Sequence, residues 1–271
     1  MSAICACVLD ATHTPLRPLF KVDRWQITQC GECGLIMTGA VFEDADHQEP
    51  DYYTIRSRDV EHVYFEWAFR WRWVLSRLGE HGGRGSLLDV GAGNGLFLKI
   101  AKEEFGWNAR GIELSVPAIE FAKSVLQVEI EPLDVHEVTD EFSAVASFNV
   151  LEHVADPVEF LADLARRLTP GGLLAVTTPS PTSVQARVKG LRRWGMVCPP
   201  HHINIFTREA LEFAVREAGL EVVSYDSLSS YIRFLRRWEK KGTRLRGAVF
   251  HALRIVGLGA DHLVIARRPI G

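Results

Sequence analysis

A chain of 271 residues, 47% hydrophobic and 24% charged, has the apolar content for one large core or a core with a small appendage, which excludes a disordered chain and a disulfide-dense miniature. Its 31 lysines and arginines against 34 acidic residues leave a net charge of −3, without the global basic excess of a protein held on nucleic acid through phosphates. No apolar run approaches the roughly 18 residues of a membrane span and the N-terminus has no leader pattern, so the expected compartment is the cytoplasm.

Four of the five cysteines, Cys5, Cys7, Cys30 and Cys33, fall near the N-terminus. In a reducing compartment such a cluster reads as thiolates around a structural zinc ion rather than as disulfides. Cys30-Gly31-Glu32-Cys33-Gly34 has the common C-x-x-C spacing, whereas Cys5-Ala6-Cys7 departs from it; independent structural cysteines are the alternative. The expected organisation is a zinc-ribbon-like module over residues 1–45, too short to build a core of its own, followed by one larger domain over 46–271. An acidic, polar stretch at 41–51 reads as the linker.

A helix is predicted at about 57–78, where Tyr64, Phe65, Trp67, Phe69, Trp71 and Trp73 make a surface that other elements should cover. From residue 86, strand-like runs alternate with helical patterns, the signature of a parallel α/β sheet. Strands are expected at 86–90, 109–112, 128–130, 144–149, 173–177, 220–225 and 262–266, with helices at 95–104, from 115, from 156 and at 207–218. Asp156-Pro157-Val158-Glu159 joins an N-cap aspartate, a first-turn proline and a glutamate three residues on, and Thr169-Pro170-Gly171-Gly172 is expected to stop that helix before the next strand. The fold class is α/β: a Rossmann-like, mostly parallel seven-stranded sheet with helices on both faces, plus the N-terminal module.

The sharpest signal is Leu87-Leu88-Asp89-Val90-Gly91-Ala92-Gly93-Asn94-Gly95, a strand running into three alternate glycines that open a helix. Glycines there let the backbone turn tightly and approach a ligand closely. Leu96 stands where a dinucleotide fingerprint needs its third glycine, which disfavours nicotinamide and flavin cofactors, and no lysine and hydroxyl residue follow as a P-loop requires. Glu113, at the end of the next strand, can accept ribose hydroxyl protons, so the ligand is expected to contain an adenosine without a 2′-phosphate.

With these residues the chain resembles the class I S-adenosylmethionine-dependent methyltransferases over roughly residues 52–226. Asp89 to Gly95 is similar to their first motif, Gly111-Ile112-Glu113 to their ribose-binding acidic motif, Pro132-Leu133-Asp134-Val135 to the strand end that holds the adenine amino group, and Leu168-Thr169-Pro170-Gly171-Gly172 to the turn before their fifth strand. The resemblance implies S-adenosylmethionine as cofactor, with Asp89, Gly91, Ala92, Gly93, Gly95, Glu113, Leu114, Asp134, Val135 and Asn149 around it. A narrower similarity is to bacterial small-molecule methyltransferases that carry N-terminal cysteine pairs, the run Val150-Leu151-Glu152-His153 and a Pro-Pro-x-His segment, here Pro199-Pro200-His201-His202. It implies a small-molecule acceptor such as a sugar or secondary metabolite.

A hydroxyl acceptor must lose its proton on methylation, and histidine is the side chain best poised to take it near neutral pH. His153, after the fourth strand, and His202, in the long connection after the fifth, are the two candidate bases; His202 ranks above His201 because it matches the subgroup's histidine. Each could equally be a histidine that only ties down a turn. Between 233 and 254 eight cations face only Glu239, which suits a solvated helical face or peripheral contact with an anionic membrane. The rival readings are an RNA-binding methyltransferase using the cysteine module and the basic segments, C-methylation of a nucleotide sugar, and a non-catalytic cofactor binder. Against RNA, Asn149-Val150-Leu151-Glu152 lacks the Asn/Asp-Pro-Pro-aromatic run of enzymes acting on base amines, and overall basicity is low.

Overall fold

Consecutive apolar residues along the central strands, which point alternately to the two faces, and one apolar stripe on each helix assemble the chain into a sheet with helices on both faces. The structure is a computed structural model describing residues 7, 16–39, 60–229 and 251–271. Cys5, the 41–51 linker and most of the basic 233–254 segment lie outside the described residues.

In chain order the elements are β1 (Leu16–Val22), β2 (Trp25–Cys30), β3 (Ile36–Met37), α1 (Val60–Glu80), β4 (Ser86–Val90), α2 (Leu96–Phe105), β5 (Asn108–Ile112), α3 (Val116–Phe121), β6 (Phe142–Phe148), α4 (Pro157–Arg166), β7 (Leu168–Pro179), α5 (Val184–Lys189), β8 (Asn204–Ile205), α6 (Arg208–Glu217), β9 (Glu221–Leu228) and β10 (Asp261–Arg267). The main sheet runs β5-β4-β6-β7-β10-β9. The β5-β4, β4-β6 and β6-β7 pairs are parallel, and β10 is antiparallel to both its neighbours.

Alternation divides the core. Leu87, Ala144, Ala146, Ala175 and Ile265 meet α1 and α2 on one face, through Trp71, Val74, Leu75, Leu78, Phe97 and Leu98. Leu88, Val90, Val145, Val176 and Val264 meet α4 and α6 on the other, through Leu161, Leu164, Leu211 and Val215. Of the aromatic helix, Trp71 is buried against Phe97 and Phe148, with centroids 5.6 and 4.7 Å away, whereas Trp67 and Phe69 stay exposed. Asp156 caps α4 as the sequence predicts, its carboxylate accepting the Glu159 N–H at 3.0 Å, while the Glu159 side chain pairs with Arg166 instead of closing a reciprocal box.

Among the described residues the sheet has six strands, not the expected seven. The predicted strand at 128–130 contributes only an isolated bridge from Glu131 to Ile112. Val128 and Ile130 are apolar because they are buried beside α2, under Gly95, and not because they alternate in a ladder. Thr169 to Gly172, expected as a turn, bulges inside β7: Phe142 pairs with Leu168 and Ala144 with Leu173. Strand β5 lies so close under α2 that a Cβ on Gly111 would fall 2.3 Å from Leu98 Cδ1 and 3.2 Å from Ala92 Cβ. Gly111→Ala is therefore expected to destabilise the fold by about 1–3 kcal/mol through overpacking, read as a lower midpoint in urea with unchanged slope.

A second sheet runs β1-β2-β3-β8, so the N-terminal hairpin is completed by a strand from the connection between β7 and α6. Ile27 and Ile36 pack there with Ala186, Trp194, Val197 and Ile205, and Thr38 N–H donates to the Ile203 carbonyl at 3.0 Å.

Candidate active site

The parallel strands end on one side of the sheet, where the turns after β4, β5, β6 and β7 converge around a cavity of about 620 Å³. That size falls within the range of small-molecule sites, which sit at the carboxyl ends of such strands.

The first wall is the glycine turn. Gly91 and Ala92 both donate their N–H to the Ile112 carbonyl at 3.0 Å, folding the turn onto the end of β5. Gly91 has φ of +71°, and a Cβ there would lie 2.5 Å from Val150 Cγ2, so only glycine lets the β4 and β6 turns meet. A Cβ on Gly93 would meet nothing within 4 Å; with φ of +52° it leaves an open cradle at the cavity edge.

Glu113 crosses from β5 to this turn. One carboxylate oxygen accepts the Gly93 N–H at 2.8 Å, and the other accepts the N–H groups of Leu114 and Ser115 at 2.8 and 2.9 Å. Three of its roughly four lone-pair sites are thereby used, so the arrangement has room for one ribose hydroxyl, and a second must displace or share the Gly93 amide. Beneath it Asp89 is fully buried, and Asp89 Oδ1 has no hydrogen-bond partner among the described residues. Burial first, then the Glu113 charge, push the Asp89 carboxyl well above the usual range.

Asp134 and Val135 line the cavity from the other side; Asp134 caps a short 3₁₀ turn by accepting the His136 N–H at 3.0 Å. At the end of β6, Asn149 takes a left-handed conformation with φ of +56°, which asparagine tolerates better than most residues. Its amide is bracketed by Arg70 at 3.4 Å, Thr177 at 3.2 Å and Asp261 at 3.4 Å, and Arg70 and Asp261 form a buried ion pair with each other.

Glu152, His153 and His202 form the far wall. The Glu152 carbonyl accepts the Ile203 and Asn204 N–H groups at 2.9 and 3.1 Å, stapling the β6 turn to the segment that carries His202. The two candidate bases are therefore neighbours, their rings edge to face with centroids 4.8 Å apart. His153 Nδ1 donates to the His201 carbonyl at 2.7 Å and His202 Nδ1 to the Met196 carbonyl at 2.8 Å. A carbonyl can only accept, so both rings carry their proton on Nδ1 and Nε2 is the basic nitrogen. Burial lowers the His202 pKa, which keeps the ring neutral near pH 7. Burial likewise raises the Glu152 carboxyl, to about 8; the bond from Thr178 Oγ1 at 2.9 Å opposes the rise and the Asp261 charge adds to it.

A carboxyl raised in the folded state stabilises the protein below its unfolded value and loses that contribution as pH climbs through the folded one. Glu152 should thus make the fold less stable from about pH 4.5 to 8. Glu152→Gln is expected to flatten that part of the profile, seen by subtracting the two curves of denaturation midpoint against pH. Glu152, His153 and His202 also bring ligating atoms within 4.8 Å of one another, a set able to hold a divalent cation.

Of the residues expected around a cofactor, Gly91, Gly93, Glu113, Leu114, Asp134, Val135 and Asn149 line the cavity. Asp89, Ala92 and Gly95 stand behind it, Gly95 packed against Ala122, Val128 and Ile130. Sequence reasoning missed Thr178 and the Arg70–Asp261 bracket; a pair 191 residues apart leaves no local signal.

Away from this cavity, Cys7, Cys30 and Cys33 are buried together with their sulfurs within 4.8 Å of one another, Cys7 and Cys33 at 3.5 Å. A zinc tetrahedron with bonds of about 2.3 Å sets sulfurs about 3.8 Å apart, so these three fit one; Cys5 lies outside the described residues. The hydrogen bond with Cys7 and burial push the Cys33 thiol far up. The turn carrying Cys33 abuts the start of α6, where a Cβ on Gly34 would touch Thr207 Oγ1 at 3.0 Å.

The family described as "Methyltransferase domain" matches residues 64–225, which contain the whole cavity wall. The chain belongs to the S-adenosylmethionine-dependent methyltransferases. This methyltransferase is 31% identical over 167 residues to a ubiquinone biosynthesis O-methyltransferase of Xanthomonas axonopodis pv. citri (strain 306), covering 56% of the chain and 69% of the relative. It is 26% identical to the 27-O-demethylrifamycin SV methyltransferase of Amycolatopsis mediterranei (strain S699), covering 67% and 70%. Its fold is similar to an S-adenosylmethionine-dependent methyltransferase from Archaeoglobus fulgidus, with TM-score 0.52 and 20% identity over 76% of this chain and 99% of that one. Geranyl diphosphate C-methyltransferase of Streptomyces coelicolor A3(2), in a complex with S-adenosylhomocysteine, matches with TM-score 0.52 and 18% identity over 84% and 89%.

Proposed function

We propose that this methyltransferase transfers a methyl group to a hydroxyl oxygen of a small molecule, with His202 taking the hydroxyl proton on Nε2. The observation that carries the reading is a single cavity with an adenosine-type grip on one wall, Glu113 beside the Gly93 cradle, and a neutral histidine of fixed tautomer on the other. The relatives whose names specify methylation of oxygen support the choice of atom.

S-Adenosylmethionine, when bound, supplies a methyl group activated on a sulfonium. Glu113 would accept a ribose hydroxyl, Asp134 would take the adenine amino group and the Gly93 cradle would admit the nucleoside's close approach. The acceptor is held between Asn149 and the histidines, and orientation supplies several kcal/mol by making transfer intramolecular. His202 is the base because burial keeps it unprotonated and the Met196 carbonyl fixes its ring; His153 packs edge-on against it and holds its orientation. The acceptor we propose is a sugar or secondary metabolite, and the rifamycin methyltransferase among the relatives supports the latter.

Incubation with methyl-labelled S-adenosylmethionine and panels of sugars, phenols and polyketides, followed by carbon NMR of labelled products, tests the reading. An O-methyl resonance supports it, and label on carbon or nitrogen overturns it.

We further propose that the cysteine cluster holds one structural zinc ion, making residues 1–45 a zinc-ribbon-like module on the 46–271 domain. Protein purified without chelator should contain about one zinc per chain, and Cys33→Ser should lose it and lower the melting temperature. Metal analysis finding no zinc would end the proposal.

A further inference from the structure

The connection between β7 and α6, residues 180–207, contains no aspartate or glutamate. Its four cations, Arg187, Lys189, Arg192 and Arg193, are all exposed. Among them stand apolar side chains that the fold leaves in solvent: Val184 at 36%, Val188 one helical turn on at 80%, and Met196 at 37%. A second strip lies alongside, Ile255 at 75% and Val256 at 60%. The two strips are tied together, because Val184 N–H donates to the Leu258 carbonyl at 3.2 Å and Thr182 Oγ1 to the Gly257 carbonyl at 3.4 Å.

Single exposed valines are ordinary, but several on adjoining elements, interspersed along the chain with exposed cations and no carboxylate in the connecting segment, are not. The patch is also firmly seated. On its inner side Ala186 and Trp194 are buried against Ile27, Ile36 and Ile205. Met196 belongs to both surfaces, since it is exposed and also lines the cavity beside His202. The sequence that leads into Ile255 is the cation-rich 233–254 stretch.

A free phosphate or an RNA backbone would account for the cations and leave the valines unexplained. An apolar protein groove would account for the valines and leave the missing carboxylates unexplained. Exposed apolar side chains interspersed with exposed cations suit one partner, a bilayer with anionic headgroups. We propose that the face formed by Val184, Val188, Arg192, Arg193, Ile255 and Val256 docks on an anionic phospholipid bilayer, presenting the cavity to the membrane and selecting an amphipathic acceptor. The docking stands independently of the chemistry; only the acceptor class rests on the proposed methyl transfer.

Sedimentation of the full chain with vesicles of mixed phosphatidylcholine and phosphatidylglycerol tests it, pure phosphatidylcholine serving as the control. Salt-sensitive binding to the mixed vesicles alone is expected. Arg192→Gln with Arg193→Gln should lower the partition coefficient about 30-fold, and Val188→Asp about 10-fold, with S-adenosylhomocysteine binding unchanged in each. Equal binding to neutral vesicles, or no loss in the variants, overturns the docking. RNA binding abolished by the arginine changes and untouched by Val188→Asp would also overturn it. For the acceptor, label from methyl-labelled S-adenosylmethionine incubated with a bacterial lipid extract should enter the organic phase. Label found only in water-soluble products overturns the amphipathic class and leaves methyl transfer standing.

Discussion

Replacing Glu113 by alanine is expected to weaken S-adenosylhomocysteine binding about 100-fold. The carboxylate offers one or two charge-assisted bonds to the ribose, each typically contributing about 1.5–3 kcal/mol, and it also clips the glycine turn through the Gly93 N–H at 2.8 Å. Both losses fall on the nucleoside. Calorimetry with the product nucleoside avoids any dependence on the acceptor, and circular dichroism establishes that the variant is folded. An affinity within a factor of three of the parent would remove Glu113 from the site. Glu113→Asp should recover little, because the shorter side chain cannot span from the β5 end to the turn while holding Leu114 and Ser115.

His202→Ala is expected to lower kcat by 10²–10⁴, the usual contribution of a positioned general base, while S-adenosylhomocysteine affinity stays near the parent value. The direction of the histidine's pKa gives a second readout. Activity should rise with pH as the ring loses its proton, and since burial lowers that pKa, the acid limb should lie below the ordinary histidine range. The variant should lose the limb. His153→Ala should keep it with a reduced rate, because the neighbouring ring then lacks its edge-on support. Full activity after chelator treatment would separate proton acceptance from cation binding by the same three side chains. A variant with unchanged kcat would eliminate His202 as base and move attention to His153.

The parts of this site that were legible in sequence are those written by local rules. The glycine spacing and the acid at 113 each announce a strand end, and strand ends of a parallel sheet face one crevice, whereas Asp134 was legible only through the resemblance to the family. What could not be read is which turns touch. His153 and His202 seemed to be rivals because 49 residues separate them; backbone bonds from Ile203 and Asn204 to the Glu152 carbonyl make them partners. The antiparallel pairing of Ile36 with Ile205 and the Arg70–Asp261 bracket have the same origin, contacts whose only cause is the finished fold. The expected strand at 128–130 failed for a different reason. Apolar residues at 128 and 130 satisfy both a strand pattern and a plug under a helix, and periodicity over three residues cannot separate them.

The antiparallel last strand carries a consequence for how little of this chain could stand alone. Because β10 sits between β7 and β9, cutting it away would excise an interior plank of the sheet, orphaning β9 and freeing the partner that brackets Asn149. Losing the N-terminal segment through β3 would in turn strip β8 of its neighbour and unmoor the stretch bearing His202. The smallest autonomous unit is accordingly wider than residues 64–225 that match the family, with β3 and β10 bracing the site from outside that segment.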